Sequence, residues 1–255
     1  GDMTYETGVF YECYKYAKNF RLPIKFIVED NGLSTNTPTK KAWKIISKKP
    51  KDIIYYKYKR IYPHHGTGAW ILFWMKKNLK YKSELIRSMS FLAKNKKTIF
   101  IGQSVSYSGN AIYNTLSHIP SNRKIELPVF EEVQLGISTG LALSGFIPIT
   151  CFPRFDFLIL AMNQLVNHLD KYNVMTGEKN IKAIIRTGIG SQRPLHPQHQ
   201  HIGDFTDSIK NMCTTIDVIK LNEPEDIFPA YEKAFNRKDG RNTIIVEYGD
   251  YYNEK

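Results

Sequence analysis

The chain is poor in cysteine, in acidic residues and in long apolar runs, and each shortage narrows what it does. Its three cysteines, Cys13, Cys151 and Cys213, are widely spaced and form no C-x-x-C pair. Neither a disulfide framework nor a zinc site is indicated, and the thiols are expected to be buried. No uninterrupted apolar run approaches the roughly 20 residues that span a bilayer. No charged, apolar, small-residue leader opens the sequence, so a soluble cytoplasmic protein is expected. Repeats, low-complexity tracts and heptads are also missing.

Aspartate and glutamate number 24 against 36 lysines and arginines, a formal net charge of +12. A nucleic acid or a phosphorylated cofactor would answer such a charge. The lysines, however, come in scattered pairs (Lys40-Lys41, Lys48-Lys49, Lys76-Lys77, Lys96-Lys97) and are not gathered with glycines and aromatics. The charge therefore reads as solvated surface, and nucleic acid is disfavoured. With 255 residues, 42% of them hydrophobic, the chain can bury one large or two ordinary cores. It opens on Gly1, not an initiator methionine, which is consistent with a processed product or a fragment.

Hydrophobic periodicity predicts an α/β protein. A helix is expected over Gly8 to Phe20 and a buried strand over Ile24 to Glu29, then a short helix from Lys40 to Ser47 and a strand from Ile53 to Lys59. Tyr81 to Asn95 is expected to be the first helix of a second domain, and from Thr98 the alternation is regular. Strands are predicted at Thr98 to Gly102, Arg123 to Leu127, Ile147 to Phe152, Lys182 to Arg186, Ile216 to Ile219 and Thr243 to Glu247. Helices fall between them, including Gly109 to Ser117, one beginning at Glu131 and one bearing Gln164. Such repetition implies parallel sheets with helices on both faces.

Residues 128–164 are the most informative stretch. Pro128 ends a strand, Glu131 and Glu132 fall in the first turn of a helix, and small residues recur through it. One strand further on, Phe155-Asp156-Phe157 leads into the helix carrying Asn163, Gln164 and Asn167. Two readings stand side by side. The glutamates complement the helix dipole from solvent, worth about 0.3–1 kcal/mol, or one of them is held beside a flat heterocycle, its proton affinity tuned by an apolar pocket.

Near the N-terminus, Asp2 precedes the first helix while Asp30-Asn31-Gly32 follow the first strand, placing both at the ligand-binding end of a sheet. An Asp and an Asn oxygen, with phosphate oxygens and water, suit magnesium; a helix cap and an ordinary turn are the alternative. The Pro/Gly loop holding His64 and His65 suits a surface as well as a phosphate contact. The long loop from Thr187 to His201 carries His196, His199 and His201, without the acidic or cysteine partners a metal site would bring.

These motifs resemble the thiamine diphosphate enzymes of the transketolase superfamily, and most of all the decarboxylating component of 2-oxo-acid dehydrogenase complexes. Pro128, Glu131, Gly136, Gly145-Phe146-Ile147-Pro148-Ile149, Phe155-Asp156-Phe157 and Ala161-Met162-Asn163-Gln164 match the beta-type, pyrimidine-binding domain. Gly1-Asp2, Glu6 to Gly8, Leu22-Pro23 and Glu29-Asp30-Asn31-Gly32 match the diphosphate motif of the alpha-type chain, departing from it at Met3, where the family has glycine. The resemblance implies that residues 1–80 form part of a diphosphate and magnesium domain with a linker, and residues 81–255 a pyrimidine-binding domain. It implies that Asp2, Asn31 and the Leu33 carbonyl ligate magnesium, and that Glu131 hydrogen-bonds the aminopyrimidine. Phe157 would stack on that ring, Gln164 would belong to the cofactor site, and His199, with Gln198 and His201 beside it, would act on substrate.

The implied activity is thiamine diphosphate-dependent decarboxylation of a 2-oxo acid, with acyl transfer to a lipoyl-bearing acyltransferase. A transketolase-like ketol transferase and a basic, non-catalytic binding protein are the alternatives. Because the chain begins at the metal motif and ends where the pyrimidine domain closes, it is expected to be incomplete alone, to form homo- or hetero-oligomers, and to need an upstream extension or partner for turnover.

Overall fold

The protein is described here from a computed structural model, in which residues 1–34, 37–44, 47–59, 69–70, 81–108, 110–190, 192 and 195–253 are placed. His64 and His65 lie outside the described residues. In chain order the elements are α1 (Asp2–Tyr5), α2 (Gly8–Asn19), β1 (Ile27–Asp30), β2 (Leu33–Ser34), β3 (Thr37–Pro38), α3 (Thr39–Ala42), β4 (Ile54–Lys57) and β5 (Ala69–Trp70). There follow α4 (Tyr81–Ala93), β6 (Thr98–Gly102), β7 (Lys124–Glu126), α5 (Glu131–Leu143), β8 (Ile147–Cys151), α6 (Phe155–Ile159), α7 (Tyr172–Thr176), β9 (Ile184–Ile189), β10 (Leu195–His196), α8 (Thr206–Met212), β11 (Ile216–Lys220), α9 (Pro224–Asn236) and β12 (Asn242–Tyr248).

The expected parallel α/β arrangement is present. Six strands form one sheet in the order β11-β12-β9-β8-β6-β7, every neighbouring pair parallel. Successive residues on a strand point to opposite faces, and the two cores divide accordingly. Ile184 and Ile245 pack with Leu85, Met89 and Tyr231 of α4 and α9. Ile185, Ile244 and Val246 pack with Leu135 and Ile209 of α5 and α8. With both faces covered, all six residues of β9 are buried, as parallel sheets require.

One charged group lies inside this sheet. Arg186 and Glu247 are both fully buried and meet in a two-pronged ion pair at 2.7 and 3.0 Å, with the Tyr231 and Tyr252 hydroxyls donating to the same carboxylate. Burial opposes the guanidinium charge, but Glu247 outweighs it and keeps Arg186 protonated. The pair is a strut between β9 and β12.

The N-terminal segment builds a smaller core of Tyr5, Val28 and Ile53, with Phe10, Tyr14, Phe26 and Tyr55 against it. Among the described residues β1 pairs with β4 alone. The expected buried strand over Ile24 to Glu29 is instead Ile27–Asp30, with Val28 buried in the small core and Ile27, pointing to the opposite side, 57% exposed.

Three further expectations change. The helix expected at Gly109 to Ser117 is a 3-10 turn, Ala111–Thr115, capped by the Asn110 side chain accepting from Ile112 N. The Gln164 helix divides into α6 and a π-helix, Asn163–Leu169. Cys13 is exposed, whereas Cys151 and Cys213 are buried and their thiols are pushed up to about 12 and about 11 by burial. Among the described residues, no helix is long and apolar enough to cross a membrane.

Candidate functional site

Glu131 opens α5, where the unpaired N–H groups of the first turn favour a carboxylate. The helix runs to Leu143 and stops at Gly145, whose φ of +81° is the left-handed conformation that ends helices. Adjacent residues on a helix diverge by about 100°, so only one of the two glutamates faces inward. That one is Glu131, 4% exposed, while Glu132 is exposed and accepts from Asn163 Nδ2 at 3.2 Å.

Glu131 Oε1 accepts from Gln103 Nε2 at 2.9 Å. Gln103 is itself buried, directly after Gly102 at the end of β6. A Cβ on Gly102 would lie 2.3 Å from the Cys151 carbonyl, so β6 and β8 approach there as only glycine permits. Among the described residues the partner of Glu131 is thus a neutral amide and not a cation. A buried carboxylate so weakly compensated is where a proton-donating ligand gains most. Gln103 carried no motif in the sequence. Its one signal was its place just past a strand at the ligand-binding end of the sheet.

Phe157 in α6 is half-buried, and its ring lies 4.9 Å from that of His201, tilted by 54°. Arg154 Nη1 donates to the His201 carbonyl at 3.0 Å. Burial lowers the pKa of His201, Asp156 pulls the other way and Arg154 lowers it further, so the environment favours the neutral imidazole. His199 is exposed. The loop kinks on either side of it, with Gln198 and His201 both left-handed at φ +60° and +59°. Gln198 N donates to His196 Nδ1 at 2.9 Å, and β10 pairs with β5. The structure therefore sets His201, not His199, beside Phe157. Gln164 is half-buried in the π-helix, where a Cβ on Gly136 would lie 3.7 Å from its Oε1. Glu131 and Phe157 follow β7 and β8 at the C-terminal edge of the sheet, and His201, five residues past β10, reaches Phe157 from the loop after β9.

The N-terminal cluster is separate in sequence. Asp2 is 4% exposed; its carboxylate accepts from the Thr39 hydroxyl, and Asn31 N approaches it at 3.4 Å. Asn31 Oδ1 accepts from Leu33 N at 2.9 Å and its amide donates to Tyr58. Asp2 lines a cavity of about 260 Å³ with Thr39, Lys40, Lys49 and Lys57. Asn31 and Leu33 line a shallow, open depression, and Lys57 borders both. Met3 is buried, with Trp43 Nε1 donating to its Sδ at 2.9 Å. Its thioether is thus occupied by Trp43. Asp2 and Asn31 bring oxygen atoms to this region beside three lysines, and among the described residues no group of three or more His, Cys, Asp or Glu is gathered to hold a metal ion.

No protein-family model matches the chain. It is 27% identical over 145 residues to the 3-methyl-2-oxobutanoate dehydrogenase subunit beta of Mycobacterium tuberculosis, covering 54% of this chain and 40% of that one. It is 29% identical over 100 residues to the mitochondrial pyruvate dehydrogenase E1 component subunit beta of Dictyostelium discoideum, covering 38% and 28%. The matches thus span two fifths or less of these relatives' length. Among solved structures, Campylobacter jejuni transketolase superposes with a TM-score of 0.50 at 14% identity, covering 67% of this chain and 26% of the transketolase, a likeness of fold. Over about half of its length or less the chain is similar to the beta subunits of 2-oxo-acid dehydrogenases, and its α/β fold is transketolase-like.

Proposed function

We propose that this chain contributes to a cytoplasmic thiamine diphosphate-dependent enzyme that decarboxylates a 2-oxo acid and passes the acyl group to a lipoyl-bearing acyltransferase. Residues 81–255 would be its pyrimidine-binding domain and residues 1–80 part of its diphosphate and magnesium domain. The observation that carries this reading is Glu131, a buried carboxylate at a helix N-terminus whose partner is the neutral Gln103 amide.

Thiamine diphosphate, when bound, supplies a nucleophilic carbon and an electron sink for the loss of carbon dioxide. Glu131 would hold a proton against the bound pyrimidine, and Gln103 fixes the orientation of its carboxylate. Phe157 offers an aromatic face to the pyrimidine, and Gln164 belongs to the same wall. Asp2, Asn31 and the Leu33 carbonyl would hold magnesium, while Lys40, Lys49 and Lys57 would offset the diphosphate charge. The loop histidines move protons at the substrate, with His199 aligned for the role by motif and His201 by its contact with Phe157. Val133 and Ile137 lie on the outer side of α5, 41% and 38% exposed, and favour assembly into an oligomer.

The assay that tests this is carbon dioxide release from a panel of 2-oxo acids with thiamine diphosphate, magnesium and an artificial electron acceptor, on the assembled protein. Release from at least one acid, abolished without the cofactor, is expected. Turnover of sugar phosphates alone would establish ketol transfer instead.

A further inference from the structure

Glu126, the last residue of β7, has no part in the site described so far, yet three segments meet on its carboxylate. Oε1 accepts from Ser104 N at 2.6 Å and from the Thr37 hydroxyl at 2.7 Å, and Oε2 accepts from Ser106 N at 2.7 Å. It stands beside Gly102 in the register of β6 and β7. The turn it holds does not support itself. Ser104 is left-handed, at φ +58°, a conformation non-glycine residues keep only when their surroundings enforce it. Its Oγ is buried without a hydrogen-bond partner among the described residues. The residue before it is Gln103, which reaches Glu131.

The third donor comes from the other end of the chain. Thr37 is buried in β3, and two residues later the Thr39 hydroxyl donates to Asp2. A continuous run of contacts therefore joins Asp2 to Glu131 through Thr39, Thr37, Glu126, Ser104 and Gln103. We propose that Glu126 is a positioning residue that couples the N-terminal segment to Glu131: it holds the turn presenting Gln103, and it holds it fully only with Thr37 seated against it. The proposal rests on the reading of Glu131 and Asp2 as two halves of one cofactor site. Spatial continuity alone does not establish coupling, so the test measures coupling itself.

The first readout needs no cofactor. In the full 255-residue chain, Glu126→Gln keeps the side chain's size but faces one of the two amides with a donor. Exchange of the Ser104 and Ser106 amides is expected to quicken about tenfold or more, as a charge-assisted hydrogen bond is lost. The Gln103 side-chain amide resonances should shift with them. Thr37→Val, which deletes one hydroxyl and keeps the fold even if Glu126→Gln does not, should move the same signals in the same direction by a smaller amount. Faster exchange with unmoved Gln103 resonances would reduce Glu126 to a local strut and overturn the proposal. Unmoved signals in Thr37→Val would overturn the link to the N-terminal segment.

The second readout is a titration with thiamine diphosphate and magnesium. Glu126→Gln and Gln103→Leu should each weaken binding several-fold, and the double variant should lose no more than the worse single one. Additive losses would contradict a shared route. If wild type binds no thiamine diphosphate, the cofactor reading fails, and the coupling is judged by the resonance and exchange data alone.

Discussion

Gln103 and Glu131, 28 positions apart in sequence, are joined across 2.9 Å with both side chains 4% exposed. The amide orients one carboxylate oxygen without neutralising it, and the neighbouring Glu132 is turned to solvent. On this basis Glu131→Gln is expected to lower the decarboxylation rate of the assembled enzyme by a hundredfold or more, the scale of a positioned acid-base group. Glu132→Gln should stay near wild type. Steady-state rates on both variants decide the matter, and equal losses would remove Glu131 from its role.

Asp2 and Asn31 make a separable prediction. If they hold the metal, Asp2→Ala and Asn31→Ala weaken thiamine diphosphate binding in the presence of magnesium and leave the weaker, metal-free binding unchanged. Calorimetric titrations with and without magnesium check this. Losses of the same size in both conditions would mean that the substitutions act on the local fold, where Asp2 accepts from Thr39.

His199 and His201 divide motif from geometry. The ring beside Phe157 belongs to His201, so His201→Ala is expected to alter both cofactor affinity and turnover. His199→Ala, at an exposed position, should change turnover with little effect on cofactor affinity. Comparing kcat and cofactor Kd for the two variants separates these outcomes; an affinity loss confined to His199→Ala would reverse the assignment.

Asp170 provides a pH-dependent test of the fold. Burial alone would raise its pKa, but the Lys171 ammonium and the N–H groups of Thr215 and Thr214 outweigh burial and hold it at about 2, below the value of 3.8 for the free side chain. Because the folded value is depressed, the stabilisation is complete above about pH 4 and is lost as pH falls toward 2. Asp170→Asn should cost about 2 kcal/mol at neutral pH, with the gap to wild type closing in acid. Urea unfolding across that range reads it directly.

The parallel sheet and the place of Glu131 were legible in the sequence because they rest on local signals. Pro128, two acidic residues and a run of small ones mark a helix start, and the strands of the sheet, covered on both faces, read as apolar runs. The π-helix was not legible, since a wider helical turn leaves nearly the same short pattern as an ordinary one. Exposure of Ile27 followed from which side of the strand meets the small core, a tertiary fact that an apolar run does not carry. Gln103 and Glu126 were missed for a different reason. Each acts through a partner distant in sequence, and neither residue type is informative alone.

The most direct test of the cofactor site is thermal unfolding of the assembled protein with thiamine diphosphate and magnesium, added separately and together, in wild type and Glu131→Gln. A ligand bound only by the native state raises Tm, and at a hundredfold excess over Kd the gain is about 2.7 kcal/mol. A clear rise is expected in wild type when both are present, a small one with either alone, and a reduced one in Glu131→Gln. A wild-type Tm unmoved by the pair, or an equal rise in both proteins, would contradict the cofactor reading.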